Sequence, residues 1–321
     1  MIVAVTADYI LDPAVELRAM LPEVEVRGNA TGRVLSRAEL LEHVCGASAV
    51  MTFGADRVDA EFLDAAGPQL RVVANAAVGI DNIDLAAAAE RGVVITNTPD
   101  PVREPTADMA WLLLLAAARR LTEGADLVRS GAWEGFWPTQ LLGHRVLGGT
   151  LLVVGAGRIG TSVARRSLGW EMDVLYVARS DKPEIEKAPL SARRVALDEG
   201  LACADFVVLT VPLSAETRHL LDARRLALMK PGAVLVNVAR GPVVDEAALV
   251  EALEARRIFA AGLDVYENEP LLHPRLRELP NAVLMPHLGS ATEEDRADVV
   301  RTCARNIAAA LSGTPAPDQV I

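Results

Sequence analysis

The sequence predicts an α/β protein of two doubly wound domains with parallel sheets, and three observations carry that prediction. The chain has 321 residues, 51% of them apolar, enough to build two cores of ordinary domain size. Short β-branched runs alternate with Ala- and Leu-rich segments of helical length along most of it, the pattern of parallel strands joined by helical crossovers. The second series of runs opens on a strand that passes directly into a glycine-rich turn and a helix.

In the first series, residues 2–6, 24–27, 49–52, 71–75 and 93–96 read as strands. Pro99, Pro101 and Pro105 then mark a hinge ahead of a single helix over 105–129, closed by Ser130 and Gly131. Its most apolar part, 109–118, has about half of the ~20 residues a membrane span requires, so it reads as a buried helix. The second series places strands at 150–154, 173–177, 206–210, 233–238, 259–263 and 282–285. Residues 292–311 complete the pattern as one amphipathic helix, followed by a tail containing Pro315 and Pro317.

Composition narrows the function. A net charge of -11 opposes nonspecific attraction to nucleic acid or anionic lipid, so neither is expected as a partner. Cys45, Cys203 and Cys303 are odd in number and lack any CxxC spacing, which argues against a disulfide framework and for a reducing cytoplasm. The start of the chain reads as a strand instead of a signal peptide. No group of His and carboxylates has metal-ligand spacing, and no metal is expected. His43, His144, His219 and His273 have no evident partner in the sequence and read as structural.

The run Gly155-Ala156-Gly157-Arg158-Ile159-Gly160 follows an apolar strand and opens a helix, the context of a Rossmann-type dinucleotide loop. Gly155 suits the tight turn, Gly157 lets a pyrophosphate approach the backbone, and Gly160 lets helix and strand pack closely. Arg158 adds a positive charge near the phosphates. An NAD site places an acidic residue about 20 residues on, at the end of the next strand. Here that strand ends in Arg179 and Ser180, while Asp173 stands at its opposite end, more than ~10 Å away at the rise of an extended chain. A guanidinium and a hydroxyl suit a 2′-phosphate, so NADPH is expected as the preferred cofactor, with NAD as the alternative.

Three further stretches, 237–245, 262–270 and 285–290, carry polar residues at the ends of predicted strands, where open α/β sheets bind ligands. They bring an arginine, Arg240, a carboxylate, Glu269 or Glu267, and a histidine, His287, toward the nicotinamide end of the dinucleotide site. Each taken singly has a structural reading, as a surface ion pair, a turn residue or a loop histidine. In this order behind a dinucleotide loop, they point to catalysis.

With these stretches the sequence resembles the D-isomer-specific 2-hydroxyacid dehydrogenases, and most of all their glyoxylate/hydroxypyruvate reductases. The resemblance runs over nearly the whole chain, including residues 78–84 and 91–93, the helix with Thr106, Ala107 and Asp108, the glycine loop, and 211–218. It implies a substrate domain of residues 1–99 plus 289–321, flavodoxin-like, into which a dinucleotide-binding domain of residues 100–288 is inserted. It also implies a homodimer formed through a helix and arm over 105–137, with Trp133, Phe136 and Trp137 packing the arm, a region from which relatives place a tryptophan near the partner's active site.

The resemblance assigns Arg240 to anchoring the substrate carboxylate, His287 to acid/base chemistry, and Glu269 to the carboxylate that favours the protonated imidazole. It places Val78 and Gly79 N–H groups, Phe53 and Gly54 against substrate. Beside the glycine loop, it gives the cofactor Thr106, Val211, Pro212, Thr217, Val238, Ala239, Arg240, Asp264, His287, Gly289 and Ser290. The implied reaction is NADPH-dependent reduction of a small 2-oxo acid to its D-2-hydroxy acid. The alternatives are D-3-phosphoglycerate dehydrogenase, although no basic cluster for a substrate phosphate is evident, a phenylpyruvate-type reductase, and a non-catalytic, dinucleotide-sensing corepressor-like protein, which would have no need of a proton donor.

Overall fold

The β-branched runs of the first series form five parallel strands in the computed structural model, which describes residues 1–321. These are β1 (Ile2–Val5), β2 (Glu25–Gly28), β3 (Ala49–Thr52), β4 (Val72–Asn75) and β5 (Val94–Thr96), in the order β2-β1-β3-β4-β5. That is the strand order of flavodoxin-like sheets. Alternate residues feed two cores. Val3, Val5, Met51, Val72 and Ala74 pack with Leu17 and Ile307, whereas Ala4, Val50 and Val73 pack with Leu40, Phe62 and Leu63. Burial on both faces is why β1, β3 and β4 read as nearly unbroken apolar runs, whereas the edge strand β2 is partly exposed.

Each crossover helix starts where a short polar side chain caps it. Asp12, Asp59, Asp84 and Thr292 accept backbone N–H bonds at the starts of helices Pro13–Met20, Ala60–Ala66, Leu85–Glu90 and Glu293–Leu311. Ser36 and Glu39 form a reciprocal capping box at the start of Arg37–Val44. Such caps contribute about 1 kcal/mol apiece. Residues Met1–Val102 and Ser290–Ile321 form one compact unit, closed by the tail, where Val320 N–H donates to Ile95 O at 2.8 Å.

Arg103–Gly289 forms the second unit. Its strands are β6 (Thr150–Val154), β7 (Asp173–Val177), β8 (Arg193–Arg194), β9 (Phe206–Leu209), β10 (Val234–Asn237), β11 (Ala260–Leu263) and β12 (Ala282–Leu284). All are parallel in the order β12-β11-β10-β9-β6-β7-β8, so the winding reverses between β6 and β9. Ligands bind at that point in doubly wound sheets. Strand β8 has no counterpart in the sequence reading, because two exposed arginines carry no apolar signature.

The single helix expected over 105–129 is two helices, Arg103–Ala118 and Leu121–Arg129. Arg120 between them adopts a left-handed conformation, φ 55°, and pairs with Glu123. The break has a tertiary cause: the Ala118 carbonyl accepts the N–H of His144 at 2.8 Å, and Gly143 lies against that same carbonyl. The first helix packs on the sheet where Gly262 admits it, since a Cβ there would come within 2.8 Å of Leu113 Cβ. No helix is long and apolar enough to cross a membrane.

Candidate active site

The glycine loop lies at the reversal point of the second sheet. Gly155 has φ 101°, and a Cβ on it would sit 2.8 Å from the backbone N of Val211, so both conformation and space demand glycine. A Cβ on Gly160 would collide with the Gly155 carbonyl. Gly157 caps helix Arg158–Arg166 without any side-chain hydrogen bond, and nothing stands within 4 Å of where its Cβ would be. Arg158 and Ile159 belong to the first helical turn, next to the approach kept clear by Gly157. These residues fit a dinucleotide pyrophosphate.

Around the loop, Arg179 and Ser180 are exposed just past the end of β7. Val211 and Pro212 follow β9, where Thr217 closes the turn by donating to Pro212 O at 2.6 Å and accepting from Ser214 N–H at 2.8 Å. Val238 and Ala239 are buried beyond β10, and Thr106 lies beside Gly289.

Three loops, following β10, β11 and β12, carry Arg240, Glu269 and His287. After β10, Asn237 accepts from Ala239 N–H at 3.0 Å and donates to Arg240 O at 3.0 Å, holding the turn that presents Arg240. The next residue, Gly241, lies against the Tyr266 carbonyl, where a Cβ would overlap the backbone. The Arg240 loop and the Glu269 loop therefore touch through main chain. Glu269 accepts the Tyr266 N–H through Oε1 at 2.9 Å, and its Oε2 lies 2.7 Å from His287 Nδ1.

Burial raises the Glu269 carboxyl, but the hydrogen bonds from His287 and Tyr266, with the charges of His287 and Arg240, outweigh it and hold Glu269 below its ordinary value. A carboxylate on Nδ1 fixes that nitrogen as the donor and leaves Nε2 as the nitrogen open to proton exchange.

Asp264 supports His287 from beneath. Its carboxylate, 2% exposed, accepts Leu288 N–H and Gly289 N–H at 2.7 Å each, while its carbonyl accepts His287 N–H at 2.8 Å. His287 is thereby held at φ 55°, a costly conformation for a residue with a Cβ. Burial pushes the Asp264 carboxyl above its usual range despite those N–H bonds. Where the resemblance gives Asp264 to the cofactor, the geometry gives both of its oxygens to the His287 loop.

Sequence reasoning missed a second layer. His219, read above as lacking a partner, is corrected by its Nε2 at 2.7 Å from Glu267 Oε1, while its N–H donates to Pro242 O at 2.7 Å. It thus joins the Arg240 loop to the Glu269 loop. Glu246, 9% exposed, accepts the N–H groups of Glu267 and His273 at 3.0 and 2.5 Å, clamping the segment that carries Glu269 at both ends. Those contacts span 21 to 48 residues of sequence, beyond any local pattern.

In the first unit, Asn75 and Asn97 donate to the carbonyls of Gly79 and Val78 at 2.7 and 2.9 Å, so side-chain amides fix those peptide planes. Phe53 follows β3, donates its N–H to Asp56 at 2.8 Å and carries the Arg296 guanidinium 5.6 Å above its ring. Gly54 abuts Ala77, and the Ser290 carbonyl accepts the Thr292 N–H at the start of the last helix. No group of His, Cys, Asp or Glu in the chain has the arrangement of a metal site.

Comparison with known proteins shows the family. Residues 111–289 match the family described as D-isomer specific 2-hydroxyacid dehydrogenase, NAD binding domain. The chain is 51% identical over 290 residues to the glyoxylate reductase of Thermococcus onnurineus, covering 89% of this chain and 86% of that protein. A glyoxylate reductase structure from Paecilomyes thermophila superposes with a TM-score of 0.89 at 34% identity, over 100% of this chain and 98% of that one. The NADPH-dependent glyoxylate/hydroxypyruvate reductase of Sinorhizobium meliloti, solved with NADP and malonate, gives 0.83 at 33% identity, over 99% and 96%. At such identity over nearly its full length, the chain belongs to the D-isomer specific 2-hydroxyacid dehydrogenases, oxidoreductases that work with a nicotinamide dinucleotide.

Proposed function

We propose that the protein is an NADPH-preferring reductase of small 2-oxo acids, of the glyoxylate/hydroxypyruvate type, yielding D-2-hydroxy acids. The observation that carries this reading is the 2.7 Å pairing of His287 with Glu269, with Arg240 near enough for its charge to act on Glu269. A bound reduced nicotinamide would supply hydride to the carbonyl carbon. Arg240 holds the substrate carboxylate with its planar fork, aided by the N–H groups of Val78 and Gly79. His287 gives the Nε2 proton to the carbonyl oxygen, and Glu269 stabilises the imidazolium that precedes this transfer. Phe53 and Gly54 contact the rest of the substrate.

Arg179 and Ser180 in place of an acidic residue support the choice of NADPH, as does the NADPH dependence of the Sinorhizobium relative. We place the homodimer contact on the two helices and arm over 105–137, where Leu121, Val128, Trp133, Phe136 and Trp137 are exposed and apolar. Three unpaired cysteines fit a reducing cytoplasm.

Cofactor oxidation with glyoxylate, hydroxypyruvate, pyruvate, phenylpyruvate and 3-phosphohydroxypyruvate, with NADPH and with NADH, tests the reading. Highest kcat/KM on glyoxylate or hydroxypyruvate with NADPH is expected. Preference for phenylpyruvate or the phosphorylated acid would move the protein to those specificities. Absence of turnover on the whole panel would leave the corepressor-like reading.

A further inference from the structure

We infer that Arg194 shapes the cofactor pocket for a 2′-phosphate, acting as a positioning residue behind Arg179 and Ser180; the inference rests on the NADPH reading above. Strand β8 is only two residues long and pairs Arg194 with Tyr176 of β7 at the edge of the sheet. From there the Arg194 guanidinium reaches over the end of β7 and makes three contacts with one short segment. Its Nε donates to Ala178 O at 3.1 Å, its Nη2 to Arg179 O at 3.0 Å, and its Nη1 to Asp181 Oδ1 at 2.8 Å.

The segment 178–181 is anchored at its ends, where Val177 O accepts Gly155 N–H at 2.9 Å and Lys182 N–H donates to Tyr176 OH at 3.0 Å. Between those anchors the carbonyls of Ala178 and Arg179 both rest on Arg194. A planar fork holding two successive carbonyls sets the backbone from which Arg179 and Ser180 project. Lysine, with one ammonium, cannot reproduce that grip.

The charge balance points the same way. Asp181 stands next to Ser180, and its carboxylate would repel a dianionic phosphate bound there. Pairing with Arg194 cancels that repulsion without engaging the Arg179 side chain. Arg179 also faces Glu216, which hydrogen-bonds Ser214 and is held down further by the Arg179 charge, so a phosphate on Arg179 competes with one carboxylate already. A second unneutralised one at Asp181 would tilt the pocket toward a bare 2′-hydroxyl.

Because Arg194 is exposed, its ion pair contributes little to stability, and its loss should leave the fold intact. The experiment is calorimetric binding of 2′,5′-ADP and 5′-AMP to the wild type, Arg194→Ala and Arg194→Lys, alongside KM for NADPH and NADH and the melting temperature. Arg194→Ala should weaken 2′,5′-ADP about 10-fold, as expected for a charge-assisted site losing its geometry, while 5′-AMP binding changes less than about 2-fold. Arg194→Lys should fall between, KM should rise for NADPH alone, and the melting temperature should stay put. Wild type binding 5′-AMP as tightly as 2′,5′-ADP would overturn the NADPH reading and this inference with it. Wild-type preference for 2′,5′-ADP that persists unchanged in Arg194→Ala would overturn this inference alone.

Discussion

His287 Nδ1 and Glu269 Oε2 lie 2.7 Å apart, and His287 holds that position from a left-handed backbone conformation. With Nδ1 committed to Glu269, Nε2 is the nitrogen that exchanges a proton with substrate in the proposed reaction. His287→Ala should therefore lower kcat by about 10²- to 10⁴-fold, the range for loss of a positioned general acid. NADPH binding, followed by fluorescence titration, should survive. Near-normal turnover would remove His287 from the mechanism.

Glu269 gives a prediction in pH. Burial opposes its ionisation, yet His287, the Tyr266 N–H and the Arg240 charge leave its folded-state pKa below the ordinary carboxylate value. A depressed carboxylate contributes stability that is present above its unfolded value, about 4.3, and is lost as pH falls through the folded one. Glu269→Gln removes that contribution, so the variant should melt below wild type at pH 7. The gap should narrow as pH falls below that unfolded value and close once wild-type Glu269 takes up its proton. A gap that widens in acid would contradict the assignment. At neutral pH, kcat should fall about 10- to 100-fold, because an amide does not stabilise imidazolium.

Apart from the two-arginine β8, the strands were readable to within a residue or two, most of them because burial on both faces makes them apolar runs. The glycine loop was readable because its strand, turn and helix are contiguous. What escaped depends on contacts distant in sequence. Arg119 and Arg120 are good helix formers, and only His144 and Gly143 at the Ala118 carbonyl reveal why the helix stops there. Gly241 looks like any loop glycine until Tyr266 is set against it. Asp264, His219 and Glu246 act through backbone and side-chain groups on other loops, for which local pattern holds no signal.

Arg240 is presented by a turn that Asn237 braces at both ends, and its own Nη1 donates to Ala239 O at 2.9 Å. The side chain is therefore oriented before substrate arrives. Arg240→Ala should raise KM for the 2-oxo acid and lower kcat together, since the carboxylate anchor also aligns the carbonyl. Arg240→Lys should recover only part of the loss, for want of a bidentate fork. Steady-state kinetics with glyoxylate checks both, and an unchanged KM in Arg240→Ala would contradict the anchoring role.

Asp264 supplies the most selective probe of how His287 is held. Its two oxygens each accept one backbone N–H, from Leu288 and Gly289, so the carboxylate matches the turn one acceptor to one donor. Asn at this position keeps one acceptor and turns an NH2 group toward the other N–H. One buried donor then goes unpaired, at a cost of about 1–3 kcal/mol. The left-handed conformation of His287 is itself unfavourable by about 1–3 kcal/mol, so the weakened turn has every reason to relax toward ordinary dihedrals. Relaxation carries Nδ1 away from Glu269 and misaligns Nε2. Asp264→Asn should accordingly lower kcat about 10-fold or more while the melting temperature falls by only a few degrees, about 2–4 °C per kcal/mol lost in a unit of this size. Dinucleotide affinity, measured by titration, should change much less than kcat. If Asp264→Asn retains full kcat with the same loss of melting temperature, Asp264 stabilises the fold without positioning His287.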